Sequence, residues 1–283
     1  MYTRALNFFN SFRKDIGLAN VWPVSLHDIV AFIAYMYKSG FAHSTINSYT
    51  SGLSFYNKLN DYEDYTQKFI VRKMIDGVKR TRSPQMDTRL PISRELLGRI
   101  LSILSCICSS AYEVRLFKAV FSLAFHGLFR VGELTVQTMS NTCYSNHALN
   151  VNDVQIYKTY LEIHLVSSKT DQFGRGVTIH IPEQLDKCIC PVVLLPCYLR
   201  DRPVVEGPLF CHFDGKPLTK YQFSAILKKS LHALGIDNAR WSSHSFRIGM
   251  ATACAIEGLS DEKIKSLGRW KSGAYLRYIR TPV

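Results

Sequence analysis

Up to about residue 82, apolar side chains return every three or four positions, the period of an amphipathic helix. In S-L-H-D-I-V-A-F-I-A-Y-M-Y-K-S-G, Ile29, Phe32, Ile33 and Met36 form one stripe. Ser25 and Asp28 are spaced as a capping box, and Gly40 supplies a stop. In H-S-T-I-N-S-Y-T-S-G-L-S-F-Y-N-K-L, Ile46, Tyr49, Leu53 and Tyr56 form the next stripe, with Ser44 the expected cap. The plain meaning of such stripes is core packing. From Pro91 two more apolar helices follow, E-L-L-G-R-I-L-S-I-L and V-R-L-F-K-A-V-F-S-L-A-F-H-G-L-F-R, with Arg130 and Glu133 at the end of the second. The period then drops to two in V-Q-I-Y, Y-L-E-I-H-L-V and V-T-I-H-I, which predicts a three-stranded antiparallel sheet. Its last two strands are joined through K-T-D-Q-F-G-R-G, so Lys169 stands where a strand runs into a loop.

Beyond the sheet, C-P-V-V-L-L-P-C-Y-L reads as an apolar stretch broken by prolines, and L-F-C-H-F-D-G-K-P as a short strand and turn. T-K-Y-Q-F-S-A-I-L-K-K-S-L-H-A-L-G is a helix with a Thr219/Gln222 capping box and a stop at Gly235. Three short helices close the chain. Ser242 or Ser243 caps the first and Gly258 stops it; Ser260 caps the second and Gly268 stops it; Ser272 caps the third. The pattern predicts a mainly α (α+β) fold in two domains, 1–82 and 92–283. They are joined by 83–91, a connector with two prolines and few apolar residues.

Composition narrows the partners. The chain has 283 residues, 47% of them hydrophobic, with a net charge of +13. An excess of cations on a chain with this much core material suits a polyanion, nucleic acid before an acidic membrane. Arg72, Lys73, Lys79, Arg80 and Arg82 crowd the end of the first domain against one acid, Asp76. Such a run is ordinarily a solvated face; beside a duplex it would contact phosphate. The 8 cysteines show C-x-C but no C-x-x-C spacing, so Cys188, Cys190 and Cys197 make a poor zinc site and reduced, structural thiols are expected. No signal peptide is visible, and the longest apolar run, Ile29 to Tyr37, is too short to cross a bilayer.

The chemistry concentrates near the end. His244 and Arg247 lie three apart at a helix N-terminus, where unpaired N–H groups already favour an anion. Tyr275 and Tyr278 share one face of the last helix. H-S-F-R, then L-G-R-W, then Y-L-R-Y-I-R, with G-L-F-R-V-G-E-L and S-S-K-T upstream, resemble the tyrosine recombinase (phage-integrase) family in order and spacing. The wording is most similar to recombinases of DIRS-type and Crypton-type mobile elements, and the resemblance covers nearly the whole chain.

The resemblance implies a helical core-binding domain that clamps DNA, followed by a helical catalytic domain with a small sheet. It implies Arg130, Lys169, His244, Arg247, Trp270 and Tyr278 as the catalytic set, with Glu133 orienting Arg130. Tyr278 would attack phosphorus, leaving a 3′-phosphotyrosyl link and a free 5′-hydroxyl, and Tyr275 is the competing nucleophile. The two arginines would take charge on the non-bridging oxygens, so no metal or other cofactor is expected. Lys220, Lys228 and Lys229 are candidates for a DNA-contacting helix face. Double-stranded DNA would be the partner, with four protomers on two duplexes, in the nucleus. Taken singly, Trp270 is also a core aromatic, Arg130–Glu133 a surface ion pair and Lys169 a solvated loop residue. Two alternatives remain: a silent DNA-binding derivative, and a type IB topoisomerase-like nicking activity. The intact residue set weighs against the first, and the short chain against the second.

Overall fold

In the computed structural model, residues 2–19, 21–82, 87–137, 148–166 and 175–280 are described. The chain divides into two compact units, Met1–Met86 and Asp87–Val283. Of the predicted connector, 83–86 lie outside the described residues, and 87–91 cluster with the second unit.

The first unit is a helical bundle: α1 (Tyr2–Asp15), α2 (Leu26–Lys38), α3 (His43–Leu59) and α4 (Phe69–Thr81), with a 3₁₀ turn at Tyr65–Gln67. The stripe of α2 is fully buried, because Ile29, Phe32, Ile33 and Met36 meet Phe9, Ile46, Leu53 and Val71. Ser25 caps α2 as expected, its Oγ accepting from Asp28 N at 3.1 Å. Ser44 does not cap α3, which begins one residue earlier, behind Ala42. Gly52 lets α1 approach, since a Cβ there would lie 2.8 Å from that of Ala5.

The second unit wraps α6 (Ala111–His126), whose residues from Leu116 to His126 are almost all buried. Around it pack α5 (Arg94–Ile107), α8 (Pro191–Leu199), α9 (Lys220–Ala233) and α10 (His244–Ile256). The sheet is antiparallel in the order β1 (Val154–Ile156), β2 (Tyr160–Leu165), β3 (Val177–Pro182). Leu161, Ile163 and Leu165 face the core, while Glu162 and His164 face out, the period-two signal realised.

Local expectations fail in four places. The proline-broken stretch at 191–199 is α8, because Pro191 sits at the first helical position, where its missing N–H costs nothing. Pro196 is held inside by burial of Val192, Leu195 and Tyr198 on one side of this short helix. Around Phe210 only isolated bridges form, such as Cys211 with Pro217, rather than a strand. Arg130 does not end α6, which stops at His126; it precedes a separate turn, α7 (Val131–Leu134). The last of the three closing helices, after α10 and α11 (Asp261–Gly268), is a 3₁₀ helix, Gly273–Tyr278.

Candidate active site

The site is assembled from the turn after α6, the start of α10, the end of α11 and the closing 3₁₀ helix. After α6 the backbone reverses at Leu128, which takes a left-handed φ of 47°. Its side chain and that of Phe129 are buried, so core packing holds the turn. Gly127 has no room for a side chain, since a Cβ would meet the Phe129 ring at 2.2 Å. The turn delivers Arg130 to the head of α7, where Glu133, 2% exposed, accepts from Arg130 twice. Oε2 takes the backbone N–H at 2.9 Å and Oε1 takes NH1 at 2.8 Å. The carboxylate thereby ties one nitrogen of the guanidinium to the head of α7.

Arg247 is fully buried on α10. NH1 donates to Leu128 O and NH2 to Gly268 O at 3.0 Å, while Nε has no hydrogen-bond partner among the described residues. Its guanidinium carbon lies 4.7 Å from the Trp270 ring centre and 5.3 Å from that of Tyr278. Burial, then the neighbouring Arg130 and Arg269, push its pKa down. A guanidinium starts high enough to stay charged, so the cluster carries excess positive charge. Neither Ser242 nor Ser243 caps α10 in the usual way: Ser243 makes no cap bond, and Ser242 Oγ instead accepts from His244 N at 3.2 Å.

In G-R-W each residue has its own reason. Gly268 is required because a Cβ would lie 1.7 Å from Trp270 Cζ3. The left-handed residue that ends α11 is Arg269, φ 57°, where a glycine stop was expected at 268. Its guanidinium turns inward to Gly127 O (3.0 Å), Leu128 O (3.1 Å) and Glu133 Oε2 (2.9 Å). Trp270 packs beside Arg247 and both tyrosines, with ring centres 5.1 Å from Tyr278 and 6.5 Å from Tyr275. Its core-aromatic reading holds, since it packs on the cluster of Cys254, Ile264 and Tyr275.

The two tyrosines occupy different surroundings. Tyr275 is 3% exposed, and the neighbouring Asp261 carboxylate pushes its pKa up to about 12. Tyr278 is half-buried among Arg247, Trp270 and His244, whose ring centre lies 6.3 Å away. Its carbonyl accepts from Thr252 of α10 at 3.3 Å. His244 is held down to about 4 by burial and by the charges of Arg89, Arg247 and Lys220. It is therefore neutral near pH 7 and can accept a proton.

Two site residues escaped the sequence reading. Arg269 sits in the L-G-R-W motif, but nothing local signals its inward turn to Gly127, Leu128 and Glu133. Arg89 lies near His244 and Tyr278, with its guanidinium on both oxygens of Asp87 at 2.8 Å. Asp87 also meets Arg280 at 3.1 Å, and Arg280 Nε donates to Arg89 O at 3.3 Å. The alternating charges of D-T-R-L-P were the available signal.

Lys169 lies outside the described residues. Lys220, Lys228 and Lys229 are all exposed on α9, with Lys220 near His244 and Lys229 near Cys108. In the first unit Arg72, Lys73, Lys79 and Arg80 are exposed on α4. Arg82 is engaged, donating to Gly40 O at 2.6 Å and Tyr37 O at 2.5 Å. Among the described residues no group of three or more His, Cys, Asp or Glu could hold a metal. No described helix is long and apolar enough to cross a membrane.

A sequence model of the Phage integrase family matches residues 99–280. An integrase/recombinase XerD homologue of Selenomonas ruminantium is 29% identical over 174 residues, 57% of this chain and 46% of that protein. The chain thus covers less than half the length of that curated relative. Among solved structures, XerH site-specific recombinase bound to palindromic difH in a post-cleavage complex aligns with 98% of this chain and 73% of its own, at a TM-score of 0.64 and 16% identity. The Tn1549 transposon integrase in complex with circular intermediate DNA aligns with 99% and 88%, at a TM-score of 0.57 and 15% identity. At these identities the likeness is one of fold.

Proposed function

The chain belongs to the phage integrase (tyrosine recombinase) family, and on that premise we propose that it breaks and rejoins DNA strands through a covalent link between Tyr278 and a 3′-phosphate. The observation that carries this reading is the grouping of the Tyr278 ring with the Arg247 guanidinium at 5.3 Å and the His244 ring at 6.3 Å. Tyr278 attacks phosphorus and the 5′-oxygen leaves. The backbone bond is exchanged for a phosphotyrosyl bond of similar energy, so resealing on another strand needs no nucleotide. Arg130, oriented by Glu133, and Arg247 neutralise charge developing on the non-bridging oxygens. His244, which its lowered pKa keeps neutral, is placed to accept the tyrosine proton, a role that rests on its position beside Tyr278 and on the family resemblance. Lys169 gives a proton to the departing 5′-oxygen, a role that rests on the family resemblance of S-S-K-T alone. Trp270 buttresses the tyrosine.

The cations on α4, with Lys220 and Lys228 on α9, bind duplex phosphates, so the first unit acts as a core-binding half of a DNA clamp. The motif wording further supports a recombinase of a DIRS- or Crypton-type element acting in a nucleus, as four protomers on two duplexes. The test is a pool of nicked duplexes with randomised cores, incubated with the full chain. Adducts separated on a denaturing gel and sequenced would reveal the site. Retention of DNA with no adduct at any sequence would instead mark a silent DNA-binding derivative.

A further inference from the structure

Two residues with side chains adopt the left-handed conformation at the site, and they meet. Leu128 has φ 47° and Arg269 φ 57°. That conformation is strained for a side-chain-bearing residue and persists only where the surroundings over-determine it. At Leu128 the reward is a carbonyl that accepts from both Arg247 and Arg269. At Arg269 it is three inward hydrogen bonds from a guanidinium only 9% exposed. Glycine would take this φ without strain, so the chain carries an arginine where the backbone alone favours the smaller residue.

The partners of that arginine are the ones that matter. Glu133 uses Oε1 on Arg130 at 2.8 Å and Oε2 on Arg269 at 2.9 Å. Leu128 O lies between Arg269 and Arg247. Arg269 is therefore bonded both to the carboxylate that orients Arg130 and to the carbonyl that anchors Arg247. We propose that Arg269 is a positioning residue for strand transfer: by bridging Glu133 and the Leu128 carbonyl, it sets the spacing of the two phosphate-binding arginines. This rests on the proposed function, in which those arginines hold the scissile phosphate. Two like charges drift apart unless something between them fixes both, and a planar guanidinium with several donors can do so where a lysine cannot.

The test compares full-length Arg269→Gly and Arg269→Lys with the unaltered chain, by adduct rate on nicked DNA and by DNA affinity. Arg269→Gly should lower the adduct rate about 10²-fold, the scale of a misplacement near 1 Å. DNA affinity should stay within about twofold, because the phosphate contacts along the duplex are untouched. The decisive arm replaces the scissile phosphate by a methylphosphonate, which has one charged oxygen fewer to neutralise. There the penalty should shrink by about tenfold or more. A penalty equal on both substrates means a merely structural role, and a full rate in Arg269→Gly means none; either overturns the proposal. If Arg269→Gly does not fold, Arg269→Lys decides by the same two ratios. If the unaltered chain forms no adduct on any DNA, the strand-transfer reading fails instead. The spacing claim then rests on calorimetric affinity for inorganic vanadate, which Arg269→Gly weakens if the claim is right and leaves unchanged if it is wrong.

Discussion

Tyr275 and Tyr278 are three residues apart, yet they sit in different surroundings. Tyr275 is buried, and the neighbouring Asp261 carboxylate raises its pKa, which makes it the poorer nucleophile. Tyr275→Phe should keep adduct formation. Tyr278→Phe should bind DNA and form no adduct, as read on a denaturing gel; the opposite pair of results would move the nucleophile to 275. A second prediction at this scale concerns acid. His126 is 6% exposed, and burial holds its pKa down to about 4. Between pH 6.5 and 4 the unfolded chain binds a proton there that the folded chain refuses, so stability is lost as pH falls through that window. The full effect of that one group is roughly 3 kcal/mol. Denaturant midpoints of His126→Phe should fall less steeply with acid than those of the parent. Equal slopes would mean that the ring is hydrated.

At the scale of elements, close approach decides where glycine is needed. On α10 a Cβ at Gly249 would lie 1.8 Å from Ile92 O, at the point where Ile92 N donates to Ser245 O and the strand-like 87–92 segment crosses the helix. Backbone cannot step aside cheaply, so Gly249→Ala should cost about 3 kcal/mol. On α4 nothing lies within 4 Å of a Cβ at Gly77, so Gly77→Ala should stabilise by about 0.5–1 kcal/mol. Thermal melts of the two variants should move in opposite directions. On α9 the three lysines are not equivalent. Lys220 lies near His244, whereas Lys229 lies near Cys108. Lys220→Ala should weaken DNA binding and Lys229→Ala should not, as measured by fluorescence anisotropy at fixed salt. Equal losses would mean that α9 meets DNA along a different face.

Across the whole molecule, a net charge of +13 makes the salt dependence of binding the broadest test. Each phosphate contact removed should reduce the slope of log K against log salt by about 0.9. Replacing Arg72, Lys73, Lys79 and Arg80 together by alanine should flatten that slope in proportion to the contacts they make. Arg82 is left out of that set because its guanidinium already serves the carbonyl end of α2. An unchanged slope would return the α4 cations to an ordinary solvated face.

Much of this protein is determined by its sequence alone. Periodicity yields the helices of both units and the three strands, because side chains must sort between core and water whatever the neighbours are. The motif residues His244, Arg247, Trp270 and Tyr278 could be picked out because their spacing matches a known pattern, and Ser25, Thr219 and Ser260 because capping is local chemistry. Tertiary structure decided the rest. Only folding shows that Gly268 must leave room for the Trp270 ring, that Arg269 takes the left-handed turn, and that its side chain reaches Glu133, 136 residues away. Only folding places Arg89 beside His244, buries Tyr275 while leaving Tyr278 accessible, and turns a proline-flanked run into α8. The physical reason is the same in each case: local signals report what a segment prefers, whereas contacts between distant segments depend on which surfaces the packed core brings within a few ångströms of each other.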